Sequence, residues 1–344
     1  MRASLPMGAS MLKLLRYLLL LVLSAALAAG GGLYWLATQP LQLRASPLDF
    51  TVAAGSSLRT AAAQVRDAGV DIDPLLLVVL GRINRVDAQI KAGSYEIANG
   101  ITAEQLLKKL TRGDVSQAEL AFIEGKTFRQ MREKLDAHPF LRHDSQGLSE
   151  AEILRRIGAG EALAEGLFFP DTYLFSKGSS DLDVLRRAYR EMQRVLAREW
   201  AQRADGLPYR DPYQALTMAS IVEKETGREA DRPQIAAVFV NRLRGGMLLQ
   251  TDPTVIYGLG EHFDGNLRKR DLQADTPYNT YTRPGLPPSP IAMAGLASLR
   301  AALNPAASDA VYFVARGDGS SQFSRTLDDH NRAVARYQKK GGKP

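Results

Sequence analysis

The 344-residue sequence predicts an α+β protein: a single N-terminal transmembrane helix, a small α+β module, then a larger helix-rich domain. Three observations predict it. Tyr17 to Ala37 runs without a charged side chain. The stretch after it alternates short strand patterns with capped helices. From Glu150 onward helical periodicity dominates.

The apolar run holds 21 residues. At ~1.5 Å per residue a helix of that length crosses ~31 Å, the hydrocarbon thickness of a bilayer. Lys13 and Arg16 precede it, which places residues 1–16 in the cytoplasm as a short stub. Tyr34 and Trp35 fall near the far end, where aromatic rings favour the headgroup boundary. A cleaved signal peptide is the rival, because Ala26-Leu27-Ala28 offers a cleavage site. The apolar run continues past that site, so residues 17–37 are read as an uncleaved anchor.

Residues 38–47 are polar and contain proline, and read as a tether. The small module is assigned to residues 48–116. Leu48–Val52 alternates like a strand, Ser56 and Ser57 cap a helix over Leu58–Ala68, and Pro74–Ile83 makes a second, apolar helix. A strand at Ala92–Ile97 and a capped helix at Thr102–Leu110 follow. This strand–helix–helix–strand order resembles the glycan-binding LysM-type module; a plain α+β spacer fits the loose spacing equally well. The segment Phe50–Arg59 is echoed by Leu120–Arg129, each a strand, a glycine turn, a hydroxyl cap and a helix.

The larger domain is assigned to residues 117–344. Its expected helices are Glu150–Ile157, Leu182–Arg203, Asp211–Thr226, Pro233–Arg244 and Gly295–Leu303, with a strand at Val311–Val314 and a last helix at Asp328–Lys339. Leu248 to Pro290 is rich in Thr, Asp, Pro, Tyr, Asn and Gly and reads as a long functional loop.

Composition removes several chemistries. The sequence has no cysteine, so disulfides, thiolate zinc sites and thiol nucleophiles are out. His138, His143, His262 and His330 are scattered without metal-ligand spacing, so no metal or cofactor is expected. No G-x-S-x-G elbow or phosphate-binding glycine loop occurs, and the one S-x-x-K spacing, Ser10 to Lys13, lies ahead of the anchor. The net charge of +7 is spread along the chain. Its densest cluster, Arg268-Lys269-Arg270, reads as a solvated loop, and a nucleic-acid partner is excluded if the domain lies outside the cytoplasm.

Carboxylate chemistry remains, and one helix stands out. Asp211 caps it, Pro212 fills its first turn and Gly227 follows its end. At about 100° per residue, Glu223 lies with Leu216, Ala219 and Ser220, and Glu225 points roughly 200° away, beside Met218, Ile221 and Val222. Two glutamates on opposite faces cannot flank one bond, so one acts and the other is structural. A fraying end of a core helix explains the same residues as well as catalysis does.

A resemblance adds to this. Ala219–Thr226 (ASIVEKET) resembles the signature helix of the endolytic murein transglycosylase family. So do Val238–Leu243, Leu249–Gly258, Tyr278–Tyr281, Gly285–Pro288, the segment Glu165–Tyr173 with its Pro170-Asp171-Thr172-Tyr173, and His330-Asn331. The resemblance implies a single-pass protein of the inner membrane whose catalytic domain faces the peptidoglycan. It implies cleavage of the β-1,4 bond between N-acetylmuramic acid and N-acetylglucosamine within nascent strands, leaving 1,6-anhydro ends and limiting strand length.

The resemblance places the catalytic acid/base at Glu223, the first glutamate of the triplet, and leaves Glu225 structural. It makes Gln250, Asp252, Asn279 and Tyr281 candidate substrate contacts, and with them Tyr257, Glu165, Asp171 and Tyr173. Expected partners are glycan strands, the membrane and peptidoglycan synthases. The rival from another class is a wall-binding scaffold without enzyme activity, which needs the small module but not Glu223.

Overall fold

The structure is a computed structural model that describes residues 8–338. Residues 1–7, within the expected stub, and Lys339, the expected end of the last helix, lie outside the described residues. The chain forms two compact units. The first runs to Ala118 and includes Ser176–Gly178; the second comprises Glu119–Phe175 and the residues from Ser179 onward.

The first unit contains, in order, α1 (Gly8–Thr38), β1 (Gln42–Leu43), β2 (Leu48–Val52), α2 (Leu58–Asp67), β3 (Val70–Asp71), α3 (Pro74–Ile83), β4 (Gly93–Ile97) and α4 (Ala103–Arg112). Among the described residues, α1 is the one helix long and apolar enough to cross a membrane, over Lys13–Thr38 at a mean hydropathy of 1.9. A signal sequence has the same length and composition. The last turns of α1 are not free: Ala37 is buried in the unit's core and Leu33 packs against it.

Residues 38–47, read from sequence as a tether, carry backbone pairing of their own. The Leu41 N–H donates to the Ile101 carbonyl at 2.8 Å, and β1 pairs antiparallel with β3. Leu41 and Leu43 pack against the core, so the segment gains backbone partners and apolar burial that a solvated linker lacks. β2 pairs antiparallel with β4, Leu48 opposite Ile97 and Phe50 opposite Tyr95, whose rings stack at 5.5 Å. Alternation in β2 puts Leu48, Phe50 and Val52 inward.

Side-chain caps set the helix starts. The Thr60 N–H donates to Ser57 Oγ at the start of α2, Leu75 N–H donates to Asp73 ahead of α3, and Thr102 and Gln105 form a reciprocal box at α4.

The second unit contains most of β5 (Gln117–Ala121) and of β6 (Thr172–Ser176), with α5 (Phe128–Asp136), α6 (Glu150–Ile157), α7 (Asp181–Ala201), α8 (Pro212–Glu225), α9 (Arg232–Arg244), α10 (Asp252–Leu259), α11 (Lys269–Gln273), α12 (Leu296–Leu303), β7 (Tyr312–Ala315), β8 (Ser321–Ser324) and α13 (Leu327–Tyr337). Its centre is α8. Every residue from Ala215 to Val222 is buried, with α12, α9, α7 and α10 packed around the helix. A helix apolar on both sides has no other stable place. Asp211 accepts the Gln214 N–H at 2.9 Å and fixes its start.

The echoed segments fold alike. Gly55 and Gly125 both take φ near the left-handed region, 78° and 72°, and Ser57 and Thr127 cap the helices that follow. The stretch 248–290 is not all loop: it holds α10 and α11, and Arg268-Lys269-Arg270 opens α11 with Arg268 ion-paired to Asp264.

Candidate active site

The end of α8 presents its two glutamates to different surroundings. On one side, Glu223 accepts the Gly295 N–H at 3.0 Å and pairs with Arg232 at 3.6 Å. Its side chain is only 7% exposed. Glu124 stands beside this pair: burial pushes its carboxyl up, Glu223's charge adds to the rise, and Arg232 opposes it. The Arg232 Nε is buried with no hydrogen-bond partner among the described residues. Both Glu223 oxygens already face partners within the protein, and little of the side chain meets solvent.

On the other side, Glu225 accepts the Thr251 hydroxyl. Burial holds the Glu225 carboxyl above the usual range; Thr251 and Arg242 pull it down and the charge of Asp252 pushes it up. Burial is the larger influence, so the group tends to keep its proton. Gln250 and Asp252, both exposed, flank the buried Thr251. The Tyr281 hydroxyl donates to Asp252 Oδ1 at 2.6 Å, and Tyr281 lies within electrostatic reach of Glu225. A carboxyl whose charged form burial disfavours thus sits beside an exposed amide, an exposed carboxylate and a half-buried phenol.

The backbone supports this arrangement. Gln250 is a non-glycine residue at φ 51°, its N–H bonded to the Thr280 carbonyl at 3.0 Å. Its side-chain amide has no partner among the described residues and is free to meet a ligand. Thr251 N–H and Thr254 Oγ1 both reach the Thr280 hydroxyl, at 3.1 and 2.9 Å, which ties the start of α10 to the 280 loop. Arg242, 8% exposed, donates to the Val311 and Leu249 carbonyls at 2.7 Å each and lies over the Tyr312 ring.

Three residues expected to contact substrate make contacts within the protein. Asn279 is fully buried: its amide N–H groups serve the carbonyls of Asp271, Leu272 and Ala274, and its oxygen accepts the Tyr281 N–H. Every polar atom of the side chain is used to shape the loop that carries Tyr281. Tyr173 is buried against Phe122, its hydroxyl bonded to the Phe169 carbonyl at 2.7 Å, so it is core. Asp171 is exposed and accepts its neighbour's Thr172 N–H, an ordinary turn bond that fixes the start of β6.

Glu165, buried, and Tyr257, half-buried, form a separate pair. Tyr257 donates to Glu165, which also accepts the Phe128 N–H at 3.1 Å. Burial raises the Glu165 carboxyl from the usual 4.5 to about 7. The sequence shows no metal-ligand spacing, yet Asp136, His143 and Asp181 bring donor atoms within 4.8 Å of one another. Asp181 spends its oxygens on the Ser145 and Leu182 N–H groups and the Ser145 hydroxyl, anchoring the start of α7.

Thr251, Arg242, Glu124 and Arg232 escaped the sequence reading. Thr251 lies inside the Leu249–Gly258 motif, where its position between Gln250 and Asp252 was the available signal.

Known proteins resemble this chain over most of its length. A Bacillus subtilis protein named endolytic murein transglycosylase is 34% identical over 264 residues, covering 72% of this chain and 73% of its own. A Streptococcus pneumoniae protein of the same name is 27% identical over 356 residues. That match takes in 92% of this chain but 64% of the pneumococcal protein, just under two thirds of its length. The crystal structure of a yceG-like protein from Listeria monocytogenes matches with a TM-score of 0.53 at 32% identity, over 83% of this chain and 98% of that one. Residues 50–336 match the YceG-like family, and the chain belongs to it.

Proposed function

We propose that the protein is an endolytic murein transglycosylase and that Glu225, not the Glu223 expected from sequence, is its acid/base. The observation that carries this is the grouping of Gln250, Thr251, Asp252 and Tyr281 around the buried Glu225 carboxyl. Glu223 sits instead in an internal contact with Arg232 and Gly295 that a sugar oxygen would have to displace.

The reaction suits a carboxyl that holds a proton. Protonated Glu225 donates to the leaving glycosidic oxygen as the bond from the muramyl C1 breaks. The carboxylate so formed takes the proton of the muramyl 6-hydroxyl as that oxygen closes on C1, giving the 1,6-anhydro end and restoring the acid. No water or enzyme nucleophile is consumed. Gln250 and Tyr281 are placed to orient the sugar, and Asp252 to keep the carboxyl protonated and Tyr281 in position.

The finer parts of the proposal follow the same line. α1 is an uncleaved single-pass anchor in the inner membrane with the second unit outside the cytoplasm. The βααβ order of β2, α2, α3 and β4 acts as a LysM-like glycan-binding module. Glycan strands, and the synthases that extend them, are the partners.

Incubation of the full-length protein in detergent with purified peptidoglycan tests the function. New 1,6-anhydromuramyl ends, one water lighter than hydrolysed ends by mass spectrometry, are expected, and EDTA should leave the rate unchanged. Reducing muramic ends would make it a hydrolase, with Asp252 the second carboxylate. Binding without new ends would make it a scaffold.

A further inference from the structure

Helix α3 is apolar on its outside as well as its inside. Leu77, Val78 and Leu80 are buried in the first unit's core, while Leu75, Val79 and Ile83 are 55%, 40% and 62% exposed. Their four-residue spacing lines them up as one stripe. Arg82, also exposed, is the one charge within the helix, and no acid lies within it. A face of this kind in water marks an interaction surface.

The same unit shows what lies next to it. α1 packs on α3 and α4, and its Leu33 and Ala37 belong to or pack on the core that α3 completes. Between them Tyr34 and Trp35 stay 72% and 60% exposed, in the place where such rings meet headgroups. The apolar helix therefore enters the folded core within about a turn of its aromatic boundary, with no linker to lift the unit away.

We propose that the stripe Leu75, Val79 and Ile83 docks on the lipid surface beside α1, with Arg82 among the phosphates. The proposal rests on α1 crossing a bilayer. Lipid is favoured over a protein partner by the packing of α1 on α3, and by a helix whose own span combines an exposed aliphatic stripe with one cation and no anion. That is the composition of a helix lying in a membrane interface, its apolar side sunk ~5–10 Å.

The absence of cysteine allows a clean test in the full chain. Leu75→Cys, Val79→Cys and Ile83→Cys, each carrying an environment-sensitive fluorophore, are reconstituted in vesicles of three parts phosphatidylethanolamine to one of phosphatidylglycerol. A fraction of the lipid bears a doxyl quencher near the headgroup or, in parallel vesicles used for Leu27→Cys, deep in the acyl chain. Leu27→Cys within α1 reports insertion, and Arg59→Cys on the exposed side of α2 reports water. The stripe should be quenched at least ~2-fold more than Arg59→Cys and be shielded from aqueous iodide.

Quenching at Leu27→Cys with none beyond the Arg59→Cys level along the stripe overturns the proposal and leaves the anchor standing. Shielding from iodide without lipid quenching assigns the face to a protein and overturns it too. Failure at Leu27→Cys removes the anchor, and the docking with it.

Discussion

Glu223 and Glu225 are the same residue type, two positions apart on one helix, and their surroundings differ in nearly every respect. Glu223 meets a guanidinium and a backbone N–H inside the protein. Glu225 meets a hydroxyl, with a second carboxylate close by and exposed polar groups on either side of Thr251. The lesson is that a helix turn does not assign chemistry to its residues. The loops that close over each side do: residues 124–125 and 295 on one face, residues 250–252 and 281 on the other.

The contrast is broken or sharpened most by exchanging the acids one at a time. Glu225→Gln should lower the rate of anhydro-end formation by ~10²-fold or more while the fold, followed by circular dichroism, persists. If this variant is active and Glu223→Gln is dead, the two faces have been assigned the wrong way round.

Glu165 extends the comparison to another carboxyl, one that is buried and hydrogen-bonded to Tyr257 and the Phe128 N–H. Its rise from 4.5 to about 7 means the folded state holds a proton that the unfolded state gives up. Stability from this group is complete below pH ~4.5 and is lost as pH rises through about 7, by roughly 3 kcal/mol at most. Glu165→Gln, which keeps an acceptor for Phe128, should flatten the pH dependence of Tm across that window. An unchanged slope would mean the carboxyl is hydrated.

Glu223→Gln removes the ion pair with Arg232 and leaves Glu124 as the acid beside it, so unfolding should come ~1–3 kcal/mol earlier in denaturant titrations with the rate kept within ~10-fold. A smaller effect is expected at Asp252. Its charge raises the Glu225 carboxyl, so in Asp252→Asn the acid loses its proton at lower pH and the alkaline limb of the rate profile moves down. A limb that moves up, or stays, removes Asp252 from the environment of the acid.

Much of the second unit was legible because its signals are local. Asp211, Pro212 and the apolar run to Val222 specify α8, and 3.6-residue periodicity separates its two glutamates. Which glutamate has exposed polar groups beside it was not legible, since Arg232, Gly295, Thr251 and Tyr281 reach the helix only through tertiary packing. Asn279 shows the same limit: a loop staple and a sugar ligand call for the same amide, and only burial tells them apart. α10 was hidden because Asp252-Pro253 and Gly258 read as turn residues, although proline belongs in a first helical turn. Residues 38–47 read as a tether because their partners, Ile101 and Val70, lie far along the chain.

Because α1 runs into the folded core without a joint, it behaves as a shaft and not as a leash. A leash lets its load sample a hemisphere above the bilayer. A shaft sets the height and tilt of what it carries and passes rotation about its own axis straight to it. If α1 spans the membrane, thinning or thickening of the lipid would then tip the whole first unit, and the surfaces it presents would be chosen by the mechanics of one helix.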